Sequence, residues 1–116
     1  MANTFKLSSK AGVTTVTVIY TAASQKTAII LGLVLGNTTS SQVTCTVTLT
    51  SDTAARTNNN NAVNQAVELI TNAPIPAGSS LELLSCNKVV LETTDSISVT
   101  ASGATDVALS YMEIDV

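Results

Sequence analysis

The stretch 43–50, with the sequence VTCTVTLT, is apolar at every odd position and carries a threonine at every even position. Successive side chains of a β-strand point to opposite sides of the sheet, so Val43, Cys45, Val47 and Leu49 share one face and four threonines share the other. An apolar face belongs in a core, whereas a row of hydroxyls belongs in water. The stretch therefore predicts a strand from a sheet that is covered on one side.

Seven other segments have strand-like composition and are separated by polar turns: 14–21, 26–36, 66–73, 80–85, 88–92, 96–102 and 107–116. About eight short strands without a convincing helix predict an all-β fold, an antiparallel β-sandwich of jelly-roll or immunoglobulin-like type. We expect the inward positions of these strands to form the core: Val16, Val18, Leu31, Val47, Leu49, Leu83, Ile97, Val99 and Leu109.

The length of 116 residues is that of one domain. Residues 1–13 are polar and have little periodicity, so they are predicted to be an N-terminal arm or tail, either free or lying across a neighbouring molecule. Residues 14–116 are predicted to form the single sandwich. Within it, 52–64 includes the run Asn58–Asn61, and asparagine favours turns, which predicts a long exposed loop.

Two segments have more apolar faces than a sandwich strand needs. In 26–36, one face carries Ile29, Leu31, Leu33 and Leu35, while the other is also apolar. Near the C-terminus the apolar phase changes after Tyr111, which predicts a bulge or a change of buried face there. The excess predicts contacts with other chains, although a central strand covered by a loop would explain the first case. The candidate assembly contacts are Ile29, Leu31, Leu33, Leu35, Met112, Ile114 and Val116.

Several kinds of chemistry are disfavoured by composition. The chain has no histidine, which excludes imidazole catalysis and imidazole metal sites. Its net charge of −3, with five basic residues, is unsuited to a phosphate backbone. No apolar run is long enough to cross a membrane as a helix. We therefore expect no enzymatic activity, no cofactor or metal, and no nucleic-acid or membrane partner.

The acids and thiols have simple predicted roles. All eight acidic side chains are expected to be solvated charges at turns. Cys45, on the apolar face of its strand, is expected to be a buried free thiol, and Cys86 lies near a turn. The first residues lack the charged and apolar regions of a secretory signal, so synthesis in a cytoplasm is expected.

Three segments together resemble a group of small virion proteins. They are YTAASQKTAIILGLVLGN (20–37), APIPAGSSLELL (73–84) and KVVLETTDSISVTASG (88–103). In this order they are similar to structural proteins of tailed bacteriophages, notably phages of cyanobacteria and other aquatic bacteria. The resemblance covers about residues 14–116. It implies a β-sandwich located in the virion and supplies no catalytic residues.

The resemblance and the apolar excess lead to one functional prediction and two alternatives. The prediction is a capsid decoration (cement) protein, made in the host cytoplasm, which stabilises the assembled shell and has its own copies and the major capsid protein as partners. One alternative is a neck or tail adaptor or a fibre-attachment protein. The other is a carbohydrate-binding module for host attachment, which the small number of aromatic residues argues against.

Overall fold

The computed structural model describes residues 3–51, 65–83 and 88–115, and in these residues nine strands form two antiparallel sheets. The strands are β1 (Asn3–Val13), β2 (Thr17–Thr21), β3 (Lys26–Asn37), β4 (Val43–Ser51), β5 (Gln65–Ile75), β6 (Ser80–Leu83), β7 (Val89–Leu91), β8 (Ser96–Ala101) and β9 (Thr105–Asp115). Sheet A has the order β1-β9-β3-β6, with β7 also paired to β3, and sheet B has the order β2-β8-β4-β5. The two sheets enclose one apolar core, so the fold is the predicted β-sandwich.

The strand order identifies the type of sandwich. Strands β6 and β7 pair with different parts of β3, so they occupy one strand position that is interrupted midway. Counted in this way, eight strand positions are divided equally between two four-stranded sheets, and the chain changes sheet at every step except from β4 to β5, which is the arrangement of a jelly roll. In an immunoglobulin-like sandwich the first two strands belong to the same sheet, whereas here β1 and β2 lie in opposite sheets.

The centre of sheet B follows the predicted alternation. Cys45 and Val47 of β4 pair with Ala101 and Val99 of β8, and all four side chains face the core. The predicted burial of Val47, Ile97, Val99 and Leu109 is confirmed, and Leu49 and Leu83 are partly buried against the same core. Cys45 is buried and free, as predicted, and burial raises the pKa of its thiol.

The predicted phase of the second strand is wrong. Val16 lies in the connection before β2 and is exposed, and Val18 is exposed on the outer side of sheet B. The pairing of β2 with β8 is irregular between Val18 and Tyr20, and this places Ile19 and Tyr20 in the core. A bulge moves every later side chain to the opposite face, which simple alternation cannot anticipate.

A bulge also divides β3 into two halves of opposite phase. Ile30 lies opposite Tyr111 and Gly32 lies opposite Ser110, so Leu31 is the extra residue and is only partly buried. Before the bulge Ile30 faces the core, and after it Leu33 and Leu35 do. The prediction that Ile29, Leu31, Leu33 and Leu35 share one face is therefore wrong.

Strand β9 keeps a single phase through Tyr111, where the sequence predicted a bulge or a change of face. Val107, Leu109 and Tyr111 all point into the core. Met112 and Ile114 occupy the alternate positions, which point outward from sheet A. The apparent change of phase is instead a strand that is apolar on both faces.

The segment predicted to be an arm or tail is largely strand β1. It pairs with β9 from Asn3 opposite Ile114 to Val13 opposite Thr105, with an irregularity between Lys10 and Val13. The described sandwich thus begins at Asn3. The predicted loop at Asn58–Asn61, together with Cys86 and Val116, lies outside the described residues.

Replacing Val47 by aspartate should strongly lower the stability of the fold. Val47 is fully buried, so Val47→Asp places an unpaired charge in the core at an expected loss of at least about 3 kcal/mol of unfolding free energy. Thr50→Asp, on the outer side of the same strand, is the matched control and should change stability much less. Thermal melts followed by circular dichroism provide the measurement; equal melting temperatures for the two variants would contradict this assignment of faces.

Candidate assembly surface

Sheet A presents an apolar row on the side away from the core. The register places Phe5 opposite Met112, Met112 opposite Ile29, and Ile29 opposite Val90, so the row crosses β1, β9, β3 and β7 without interruption. Directly opposed residues in antiparallel strands lie on the same side of a sheet. We call this side the outer apolar face; its apolar members are Phe5, Leu7, Ile29, Val34, Val90, Met112 and Ile114.

The outer apolar face is open to solvent in the isolated chain. Phe5 is 73% exposed, Leu7 65% and Val90 55%, while the side chains between them are partly buried by their neighbours. Among described strand residues that point outward from sheet A, the charged ones are Asp106 and Glu82. Glu82 lies directly opposite Val34, so the part of the face without charge is the row from Phe5 to Val90. Contiguous apolar surface without charge is typical of a surface that contacts another molecule.

A hollow lies beside the apolar row on the same face. It has a volume of about 400 Å³ and is lined by parts of β1, β3 and β9. Its lining combines small and apolar residues such as Val34, Gly36 and Ala108 with the charged residues Lys10 and Asp106. The large side chains Phe5 and Leu7 stand at the other end of β1. The outer apolar face therefore offers both projecting side chains and a recess to a partner.

The opposite side of the molecule has a different chemistry. Outward positions of β4 and β8 in sheet B carry only hydroxyl side chains, and we call them the hydroxyl face: Thr44, Thr46, Thr48, Thr50, Ser96, Ser98 and Thr100. The exposed Val18 lies at the edge of this face, opposite Ser98. A face of hydroxyls is well solvated and needs no partner. The two sides of the sandwich thus predict different neighbours.

The structure brings together part of the predicted contact set. Ile29, Met112 and Ile114 lie side by side on the outer apolar face, and Leu31 is the bulge residue beside them. Leu33 and Leu35 are fully buried and contribute to the core. Sequence reasoning missed Phe5, Leu7 and Val90, although Phe5 and Leu7 are two residues apart, which is the spacing of side chains on one face of a strand.

A buried carboxylate attaches β1 to both sheets. Lys6 Nζ donates to Glu113 Oε1 at 2.8 Å, and Tyr20 Oη donates to Glu113 Oε2 at 2.7 Å. Tyr20 belongs to sheet B, and its ring packs on that of Tyr111 with centroids 4.2 Å apart. Glu113 was predicted to be a solvated turn charge, and so was Asp95; both are buried.

The electrostatics of this cluster favour the ionised carboxylate. The hydrogen bond from Lys6, and then that from Tyr20, hold the pKa of Glu113 below its ordinary value of 4.5. The same contact raises the pKa of Lys6, whereas burial is the main cause that raises the pKa of Tyr20. Glu113 is therefore negatively charged and doubly hydrogen-bonded over the whole neutral range.

Within 3–51, 65–83 and 88–115, no three side chains of the histidine, cysteine, aspartate and glutamate types come together as a metal site would require. In the same residues, no helix is long and apolar enough to span a membrane.

Comparison with known proteins adds little to this description. No family model matches the chain, and no curated protein matches it. A solved structure from Bacillus endospore appendages, described as a novel family of disulfide-linked pili, aligns over 99% of this chain and 88% of its own, with 14% identity and a TM-score of 0.49. A similarity of this strength says nothing about what the present chain binds or builds.

Stability should fall in acid because of Glu113. A carboxyl whose pKa is lowered by folding contributes stability above its unfolded pKa, and this contribution disappears as the pH falls through its folded pKa. Between about pH 5 and pH 3, the melting temperature of the wild type should therefore drop by several degrees more than that of Glu113→Gln.

The exposed Glu82 supplies the control, because Glu82→Gln should keep the acid sensitivity of the wild type. Calorimetric scans at a series of pH values measure the effect. Parallel pH curves for the wild type and Glu113→Gln would show that the carboxylate does not stabilise the fold.

Proposed function

We propose that this chain is a structural protein of a tailed-phage virion, a capsid decoration protein that binds the assembled shell in many copies. The observation that carries the proposal is the contrast between the outer apolar face of sheet A and the hydroxyl face of sheet B. The apolar face would contact the major capsid protein or a neighbouring copy. The hydroxyl face would remain in water, as the exterior of a coat requires.

One further observation supports a role in assembly. The sequence resembles small virion proteins in three segments, one of which includes Ile29 and the rest of β3 up to Asn37. The jelly roll also occurs in viral capsid domains, although it occurs in lectins too, so the fold by itself does not select a function.

The expected free energy of one contact suits a protein that binds a lattice in many copies. Burial of about 400 Å² of apolar surface contributes about 10 kcal/mol at about 25 cal/mol per Å². Association costs about 4–15 kcal/mol in lost freedom, so one such contact is marginal. A lattice presents many sites at high local concentration, which makes weak contacts effective together. A protein that binds only the assembled lattice stabilises it by mass action.

The alternatives make different use of the same surfaces. A neck or tail adaptor, or a fibre-attachment protein, could use the outer apolar face equally well but would be present in far fewer copies. A carbohydrate-binding module needs aromatic rings that sugars can reach. Tyr20 and Tyr111 are buried against each other, so Phe5 is the exposed aromatic side chain.

Copy number and incorporation can be measured together by gel densitometry of purified particles. A decoration protein should be present in hundreds of copies, whereas tens or fewer would indicate the neck or tail. Val90→Lys places a charge on the outer apolar face and should lower incorporation at least about tenfold, equivalent to about 1.4 kcal/mol.

Val18→Lys is the matched control, because Val18 is 51% exposed and Val90 is 55% exposed, but on opposite sides of the sandwich. This variant should be incorporated like the wild type. Both proteins should retain the wild-type melting temperature. Equal incorporation of the two variants would contradict the assignment of the outer apolar face, and absence of the protein from purified virions would contradict the proposed function.

A further inference from the structure

Strand β1 is attached at the edge of the sandwich rather than packed into its core. Of its eleven residues, Val13 is buried and Ser8 is partly buried, while the others are exposed. Its backbone pairs with β9, and three side-chain hydrogen bonds add to that ladder. Lys6 binds Glu113, Ser8 Oγ donates to the carbonyl of Ile19 at 2.6 Å, and the amide of Gly12 donates to Asp106 Oδ1 at 2.9 Å.

The site that receives β1 has a specific chemistry. Without β1, strand β9 would present an unpaired edge, and Glu113 would keep the hydrogen bond from Tyr20 but lose its cationic partner. Unpaired strand edges and buried carboxylates both need new partners. The site therefore selects an extended segment with a lysine opposite Tyr111. Strand β1 of any copy of this chain supplies that segment in full.

The connection between β1 and β2 is short and leads from sheet A to sheet B. Only residues 14–16 join β1 in sheet A to β2 in sheet B, and all three are exposed. Gly12, two residues before this connection begins, has a φ of 66°, in the left-handed region that glycine adopts without strain. Three extended residues span about 10 Å, so a straightened hinge would carry β1 away from its own β9. Short hinges are the feature that favours exchange of an identical element between copies.

We propose that β1 is exchanged between copies, so that in the assembled state β1 of one molecule pairs with β9 of the next in the register found within one chain. The proposal deepens the proposed function, on which it rests for the presence of many adjacent copies. Exchange makes each outer apolar face composite, because Phe5 and Leu7 then come from a neighbour. The contact is head to tail, because one molecule donates β1 and the next molecule accepts it along the edge of β9.

Cysteine pairs across the β1–β9 ladder distinguish exchange from closure within one chain. Ser9 lies opposite Ala108 on the outer side, and opposed residues in antiparallel strands are close enough for a disulfide. One chain carries Ser9→Cys and the other carries Ala108→Cys with a mass tag, both in a Cys86→Ser background that retains the buried Cys45. The two chains are unfolded, refolded together at high concentration, oxidised and separated on a non-reducing gel.

If strands are exchanged, the yield of disulfide-linked dimer from the Ser9→Cys and Ala108→Cys chains should be several-fold higher than the yield from the off-register pair Asn3→Cys and Ala108→Cys. A hinge shortened by deletion of Thr14 and Thr15 should raise the yield, and a hinge lengthened by six glycine and serine residues should lower it several-fold. A single chain carrying both Ser9→Cys and Ala108→Cys confirms that the pair can close. The lengthened hinge keeps the test valid if the shortened chain does not fold.

A cross-link no stronger than the off-register control, with full closure in the single chain, would overturn exchange. Sedimentation with purified particles separates this result from failure of the proposed function. A wild-type chain that binds particles but never exchanges leaves the decoration role intact and removes only the exchange. A chain that exchanges strands but is absent from purified virions overturns the proposed function, on which the exchange in a virion rests.

Discussion

Strand β9 has apolar side chains on both faces, and a two-layer sandwich can bury only one of these faces. Its inward face, with Leu109 and Tyr111, packs against sheet B. Its outward face, with Met112 and Ile114, aligns with apolar side chains of β1, β3 and β7 and has no cover in the isolated chain. The outer apolar face therefore arises because β9 lies between β1 and β3 in sheet A and carries apolar side chains on the side away from the core. The proposed role in assembly follows from the need to cover this face.

Strand β1 connects the fold to the proposed assembly. This strand contributes Phe5 and Leu7 to the outer apolar face, yet it is attached to the rest of the sandwich mainly by backbone pairing and by the contact of Lys6 with Glu113. Glu113 in turn is bound by Tyr20 from the other sheet, so a single carboxylate connects β1, β2 and β9. In the proposed exchange, the same strand from another copy would complete this surface.

The sequence was informative wherever a strand alternates regularly. The stretch 43–50 predicted the burial of Cys45 and Val47, and the turn spacing predicted the sandwich. It failed at the bulges near Ile19 and Leu31, because one extra residue reverses the phase and has no signature in a single sequence. Residues 1–13 were predicted to be an arm because an edge strand held by its backbone needs no apolar pattern.

The outer apolar face was predictable in part. The excess of apolar residues placed Ile29, Met112 and Ile114 among the candidate contacts, and these three side chains lie together on that face. The change of face predicted after Tyr111 does not occur, because β9 keeps a single phase. The ion pair of Lys6 with the buried Glu113 was not predictable, since the two residues are 107 positions apart and only the β1–β9 register brings them together. An acidic residue in phase with Leu109 and Tyr111 was the available signal that Glu113 faces inward.

Hydroxyl-radical footprinting of the purified particle tests most directly whether the outer apolar face is the contact face. Methionine and phenylalanine oxidise readily, so Met112 and Phe5 report on this face, and a methionine introduced by Val18→Met reports on the edge of the hydroxyl face. Oxidation of Met112 and Phe5 should fall several-fold when the protein is incorporated, while the reporter at position 18 keeps the rate of the isolated chain. Unchanged oxidation of Met112 and Phe5 in the particle would show that the outer apolar face is not the contact face.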